Sequence, residues 1–177
     1  MTGAPTASDP IRAAVITVST SRAEGEAGPG SGGPDESGEA LAALVEEMEG
    51  TVAGRELIAD DRAEIEACLR RWADGGECDL VLTTGGTGLA PSDVTPEATE
   101  AVLERRAPGI AEAMRAASAP HTRHWMLSSA VAGVRGGCLI VNFPGNPKAI
   151  AETAGAILPA LPHAVSLLRQ APTAHRP

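Results

Sequence analysis

The stretch TTGGTGLAPSDVTPEAT, Thr83 to Thr99, sets threonine hydroxyls, three glycines and one aspartate between an apolar run and a helix-like run. Glycines at 85, 86 and 88 let a backbone turn sharply and approach a ligand with no Cβ in the way. Their N–H groups can converge into an anion-binding nest, with the Thr84 and Thr87 hydroxyls as further donors. That is phosphate chemistry, although a tight turn with no ligand fits the glycines equally well. The pattern is neither a Walker A loop, since no Gly-Lys-Ser/Thr follows, nor G-x-G-x-x-G. Asp93 suits two roles: a turn residue before the next helix, or a carboxylate holding Mg²⁺ beside a phosphate. Thr95, followed by Pro96, can itself cap that helix.

Other segments offer matching chemistry. In IADDRAEI, one of Asp60 and Asp61 can cap a helix while the other faces a cleft. In FPGNPKA, Gly145 between prolines and Asn146 makes a rigid turn, and the Asn146 amide can read a ligand edge. Lys148 is the only lysine and opens a helix, where a cation is unfavourable unless an anion lies nearby. In GPDESG, Ser37 is a candidate N-cap, and with Asp35 and Gly38 it can complete a polar pocket. His121, His124, His163 and His175 have no metal-like spacing with carboxylates.

These residues need elements to position them. IRAAVITVST reads as a first, doubly buried strand, followed by a Gly/Pro/Ser/acid loop. ESGEALAALVEEMEG has Leu41, Leu44, Val45 and Met48 on one helical face and stops at Gly50. TVAGRELIAD reads as a weaker strand, and DRAEIEACLRRWADGG as a helix with Ile65, Cys68, Leu69 and Trp72 on one stripe. CDLVLTTGG is a third strand, followed by helices in TPEATEAVLERR and PGIAEAMRAAS. HTRHWMLSSAVAGVRGG reads as short helix and loop, CLIVNFPGNP as strand and turn, and the remainder as a closing helix interrupted at Pro159 and Pro162. Apolar strands alternating with helices predict a mostly parallel sheet covered on both faces, an α/β fold. In such sheets ligands bind beyond the carboxyl ends of the strands, where the polar turns converge. Residues 1–10 read as a lead-in, 11–170 as a single domain and 171–177 as a tail.

Composition bounds the rest. With 177 residues and 43% hydrophobic residues the chain can bury a sizeable core, and aromatics are so scarce that Ala, Val, Leu and Ile must fill it. A net charge of −9 without a basic stripe disfavours nucleic acid and anionic membranes. Three cysteines without C-x-x-C spacing read as reduced thiols of a cytoplasmic protein. No signal peptide is visible, and no apolar run is long enough to span a membrane. The stretch from Glu24 to Glu49 holds eight acids and no base, and reads as a solvated face.

VLTTGGTGLAPSDVTPEAT, IVNFPGNPKA and the DESG loop resemble the MoaB/MogA family of molybdenum cofactor biosynthesis proteins over residues 11 to 168. The resemblance implies a three-layer α/β/α sandwich around a mostly parallel sheet, in a trimer or hexamer. It implies molybdopterin adenylyltransferase activity: molybdopterin and ATP as substrates, Mg²⁺ as cofactor, pyrophosphate as leaving group, and other cofactor-synthesis proteins as partners. It carries the family's catalytic and metal-holding aspartates to Asp60 and Asp93. It carries binding roles to Asp35, Ser37, Gly38, Thr84, Gly85, Gly86, Thr87, Gly88, Ser118, Ser128, Gly133, Pro144, Gly145, Asn146 and Pro147. The family commonly has arginine where this chain has Ser92 and Ser129, so a non-catalytic relative that binds molybdopterin or its precursor is the alternative. Nicotinamide-nucleotide amidohydrolases and pyrophosphatase-like enzymes of related fold are a third.

Overall fold

A computed structural model of the chain describes residues 9–23 and 34–170. The expected lead-in and tail therefore fall almost wholly outside the described residues, as do residues 24–33 of the acidic loop. The strands are β1 (Arg12–Val18), β2 (Thr51–Ile58), β3 (Leu80–Thr84), β4 (Arg105–Arg106), β5 (Ala132–Arg135) and β6 (Cys138–Phe143). The helices are α1 (Thr20–Ala23, a single turn), α2 (Glu36–Glu47), α3 (Arg62–Asp74), α4 (Thr95–Val102), α5 (Pro108–Ser118), α6 (Pro147–Ile157) and α7 (Leu161–Gln170).

The strands form one sheet in the order β2-β1-β3-β6-β5-β4. β2, β1, β3 and β6 are mutually parallel, and β5 runs against both its neighbours. The period-two alternation of strand side chains divides the core in two. Ala13, Val15, Leu80, Leu82, Leu139, Val141 and Phe143 face α2, α5, α6 and α7 through Leu41, Val45, Met114, Ile150, Ala154, Ile157, Leu161 and Val165. Ala14, Ile16, Val18, Val81 and Ile140 face α3 and α4 through Ile65, Cys68, Leu69, Ala98 and Val102. This is the three-layer sandwich that the sequence predicted.

Besides β4, a two-residue strand at the end of a stretch read as helix, two features depart from the sequence reading. β5 lies in the stretch read as short helix and loop, which also holds a 3₁₀ turn at Trp125–Leu127. Arg135 pairs with Cys138 across Gly136-Gly137, with Gly136 at φ 54°, the geometry of a two-residue hairpin turn. A Gly-Gly pair between VAGVR and CLIV was the available signal. Secondly, α6, a 3₁₀ turn at Leu158–Ala160 and α7 join into one helical stretch, Pro147–Gln170, which by length and composition alone could cross a membrane. Its apolar stripe is already used, since Ile150, Ala154, Ile157, Leu161 and Val165 are buried against the sheet.

A buried ion cluster closes the amino-terminal end of the sheet. Asp79, just before β3, accepts from the Arg12 backbone and guanidinium at 2.9–3.1 Å and from Arg169 of α7 at 2.8 Å. Burial pushes the Asp79 carboxyl up, but the hydrogen bonds from Arg12 and Arg169 outweigh it and hold the group at about 2. A depressed folded-state pKa means stability that is present above the carboxylate's ordinary range and lost as pH falls toward 2. Asp79→Ala removes the buried carboxylate that Arg12 and Arg169 share, Arg169 being only 4% exposed, so a loss of about 3 kcal/mol is expected in urea denaturation near neutrality. The deficit should shrink as pH falls below about 4, where the unfolded chain's carboxylate begins to protonate, and be gone below about 2.

Candidate functional site

The strand order reverses direction at β1, with β2 on one side and β3 on the other. A crevice at such a switch point is the preferred ligand site of an open parallel sheet. The turns after β1, β2, β3 and β6 meet there.

The turn after β3 is shaped by close approach. Gly85 has φ 101°, and a Cβ on it would lie 2.2 Å from the Val18 carbonyl oxygen at the end of β1. Gly86 has φ 62°, and a Cβ there would lie 2.4 Å from Thr95 Oγ1 and 3.3 Å from Asp60 Oδ1. Among the described residues no backbone hydrogen bond engages the N–H groups of Gly86, Thr87 or Gly88. Unused donors in a left-handed turn are what an anion nest requires.

The other turns brace this one. Thr84 donates from its hydroxyl to the Pro144 carbonyl, and Ser37 to the Gly145 carbonyl, both at 2.8 Å. A Cβ on Gly145 would stand 3.2 Å from Gly85 Cα, so the PGNP turn lies directly against the glycine turn. Asn146 caps α6 by accepting from the Lys148 N–H, and Pro147 takes its first turn. The Asn146 carbonyl oxygen is thus already committed to the helix. Lys148 has its anion on its own helix: Glu152, with Nζ and Oε1 3.9 Å apart.

The two aspartates lie at opposite ends of the glycine turn. Asp61, not Asp60, caps α3 by accepting from the Glu64 N–H. Asp60 turns the other way, and its Oδ2 accepts from the Thr20 N–H at 2.7 Å and the Thr20 hydroxyl at 2.9 Å. Its Oδ1 faces Gly86. Asp93 accepts from the Ala90 N–H at 2.8 Å, and its Oδ2 would stand 2.7 Å from a Cβ on Gly88. No group of three or more metal-ligating side chains occurs among the described residues. One or two carboxylates, completed by phosphate oxygens and water, is a usual Mg²⁺ environment, and each of these carboxylates offers the hard oxygen donors that ion takes.

Asp35, not Ser37, caps α2, because its carboxylate reaches the Gly38 N–H three residues on. It also accepts the Thr17 hydroxyl at 2.7 Å and lies within 3.7 Å of Arg22 and Arg55, so its charge is answered by the fold. Gly38 is buried where a Cβ would strike both Asp35 and Thr17. Thr95 is not a cap either: it is the first residue of α4, Val94 holds the cap position, and no side chain caps that helix.

Gly133 lies within the sheet, where a Cβ would stand 2.5 Å from Leu103, which gives it a packing role. Ser118 ends α5 and accepts through its carbonyl from His121 and Thr122. Ser128 is held by Arg115, which bonds the Ser128 and Ala130 carbonyls. The sequence reading gave no role to Ser129 itself, only a missing arginine. Its hydroxyl reaches the carbonyls of Thr87 and Gly88 at 2.9 and 3.0 Å, and its N–H reaches Thr87 as well. Ser129 therefore pins the glycine turn. It also edges an open groove of about 560 Å³ along α4, whose rim carries Arg62 and Arg106. Arg135 sits at the far end of the sheet, bonded to Asp74 at 2.8 Å, and brings no charge to this turn.

A mostly parallel sheet with unengaged N–H groups in a glycine turn at its switch point, and a carboxylate at each end of that turn, gives an α/β domain the arrangement an anion site requires. Residues 14–163 match the family described as "Probable molybdopterin binding domain". The chain belongs to that family. It is 47% identical over 113 residues, 64% of each chain, to a molybdopterin adenylyltransferase of Helicobacter pylori. It is 50% identical over 97 residues, 55% of this chain and 50% of the other, to a molybdopterin adenylyltransferase of Escherichia coli. The matched stretch thus spans between half and two thirds of the length of these curated relatives. The molybdopterin biosynthesis enzyme MoaB of Thermus thermophilus superposes with a TM-score of 0.81 at 44% identity, over 92% of this chain and 99% of that one.

Proposed function

We propose that the chain is a molybdopterin adenylyltransferase acting in molybdenum cofactor biosynthesis. The observation that carries this reading is the glycine turn with unengaged N–H groups, flanked by Asp60 and Asp93. The reaction joins a terminal phosphate oxygen of molybdopterin to the α-phosphorus of ATP and breaks the bond to the β-phosphate, so that pyrophosphate leaves. The attacking phosphate is already anionic near neutral pH, so no histidine base is needed, and positioning with charge neutralisation does most of the work. Mg²⁺ held by Asp60 and Asp93 would supply part of that neutralisation. The N–H groups of Gly86, Thr87 and Gly88 bind phosphate oxygens, Ser129 keeps the Thr87 and Gly88 carbonyls turned away, and Thr20 keeps Asp60 oriented. In this reading the protein is cytoplasmic and assembles as a trimer or hexamer, with substrates and fellow cofactor-synthesis proteins as its partners.

The test is pyrophosphate release by the purified protein. Release that requires ATP, molybdopterin and Mg²⁺ together supports the reading. A second reading rests on Ser129, which spends its hydroxyl on the turn and brings no cation to the site. If molybdopterin binds saturably and no pyrophosphate appears, the chain is a non-catalytic binder.

A further inference from the structure

Behind the glycine turn lies a buried polar cluster linking β3, β6 and α4. Asn142 is fully buried and donates to the hydroxyls of Thr83 and Thr99, each at 2.9 Å. Its side-chain oxygen accepts from the Val131 N–H at 3.3 Å, and the Thr99 hydroxyl donates to the Thr95 carbonyl at 2.8 Å. Every side chain in this cluster has a partner except one. Thr95 is 0% exposed, and its Oγ1 makes no hydrogen bond to any protein group. A buried hydroxyl left unpaired is costly, and such groups are rare in folded proteins.

The direction of that hydroxyl gives it a purpose. The Thr95 N–H holds the Gly86 carbonyl at 3.2 Å, which fixes Thr95 against the turn. Oγ1 and Asp60 Oδ1 converge on the same side of Gly86, at 2.4 and 3.3 Å from the point a Cβ would occupy. A Cβ at that point would strike the hydroxyl, so only glycine allows Thr95 and Asp60 to approach the turn this closely, one residue from the unengaged N–H group of Thr87. A hydroxyl, a carboxylate oxygen and backbone donors meeting there form a donor-rich seat beside one acidic group.

We propose that the Thr95 hydroxyl is a substrate-binding group that donates a hydrogen bond to a phosphate oxygen seated over Gly86. This deepens the phosphoryl-transfer reading and rests on it. The phosphate can belong to the nucleotide or to the pterin, which share the same oxygen chemistry. The hydroxyl is buried in the free protein, so the phosphate reaches it by a small outward shift of the glycine turn, with no hydrogen bond of the hydroxyl to protein to break.

The test compares wild type with Thr95→Val, which has the same shape and no hydroxyl, and Thr95→Ser, which keeps the hydroxyl. Binding of Mg²⁺ with a non-hydrolysable ATP analogue, and separately of molybdopterin, is measured by calorimetry. Thr95→Val should bind at least one probe about tenfold more weakly, and Thr95→Ser should bind within about twofold of wild type. The probe that is lost identifies whose phosphate the hydroxyl meets. The thermal midpoint of ligand-free Thr95→Val should equal or exceed that of wild type, since a methyl replaces an unpaired polar atom. Unchanged affinity of Thr95→Val for both probes overturns the Thr95 assignment and leaves the nucleotidyl-transfer reading standing. A Thr95→Ser variant that loses affinity as Thr95→Val does also overturns it, and remains readable if Thr95→Val fails to fold. Wild-type protein that binds neither probe overturns both readings.

Discussion

Asp60→Asn should cut Mg²⁺-dependent pyrophosphate release by at least about a hundredfold, the scale seen when one preorganised electrostatic group is removed from a phosphoryl or acyl transfer site. The fold specifies what asparagine would do. Asp60 Oδ2 accepts both the Thr20 N–H and the Thr20 hydroxyl, so the oxygen of an asparagine amide would stay there. Its NH₂ would then replace Oδ1 beside Gly86. A carboxylate oxygen that could face Mg²⁺ becomes a donor that repels it, while the fold keeps its bonds and loses no more than about 1 kcal/mol. Asp61→Asn is the matched control, because Asp61 caps α3 and asparagine caps nearly as well. That control should release pyrophosphate at close to the wild-type rate. Full activity in Asp60→Asn would remove the metal role assigned to it.

Gly85→Ala should cost at least about 2 kcal/mol in urea denaturation, and the nucleotide site with it. Two causes combine. Gly85 sits at φ 101°, a conformation that side-chain-bearing residues rarely adopt. The added Cβ would also lie 2.2 Å from the Val18 carbonyl oxygen, which belongs to a buried strand end and cannot swing aside as a side-chain tip could. Relief requires the turn to lift away from β1, and that displaces the N–H groups beside it. Gly109→Ala gives the opposite sign. Gly109 lies in α5 with nothing within 4 Å of its added Cβ, so alanine there should leave stability unchanged or raise it by up to about 1 kcal/mol. Equal stabilities for the two variants would mean that close packing at the switch point has been misjudged.

The sequence made the sheet legible because its central strands are buried on both faces. ITV, LVL and LIV runs between helical stripes leave few alternatives. β4 and β5 were missed because they are short and lie at the sheet's far side, where two Arg residues and a Gly-rich stretch carry little periodic signal. At the site, chemistry-bearing residue types were readable, but their commitments were not. Whether Asp60 or Asp61 caps α3, and whether Asp35 or Ser37 caps α2, depends on backbone angles that residue type does not specify. Ser129 shows the same limit more sharply. As a letter it is a lost arginine, whereas folded it is a clasp on the Thr87 and Gly88 carbonyls some forty residues away. Thr95 was read as a cap because Thr-Pro commonly opens a helix. Its solitary hydroxyl becomes visible only once Thr83, Asn142 and Thr99 are seen to be satisfied among themselves.

The clasp of Arg169 has a consequence for how this chain can be reconnected. Besides Asp79, it grips the carbonyls of Asp9 and Pro10, at 2.6 and 2.9 Å. The first and last described segments therefore meet at the amino-terminal end of the strands, opposite the glycine turn. The same adjacency makes the domain topologically almost a ring. Joining residues 9 and 170 by a short linker and reopening the chain at the Gly136-Gly137 hairpin, also at that end, would keep all four strand ends of the crevice in their places.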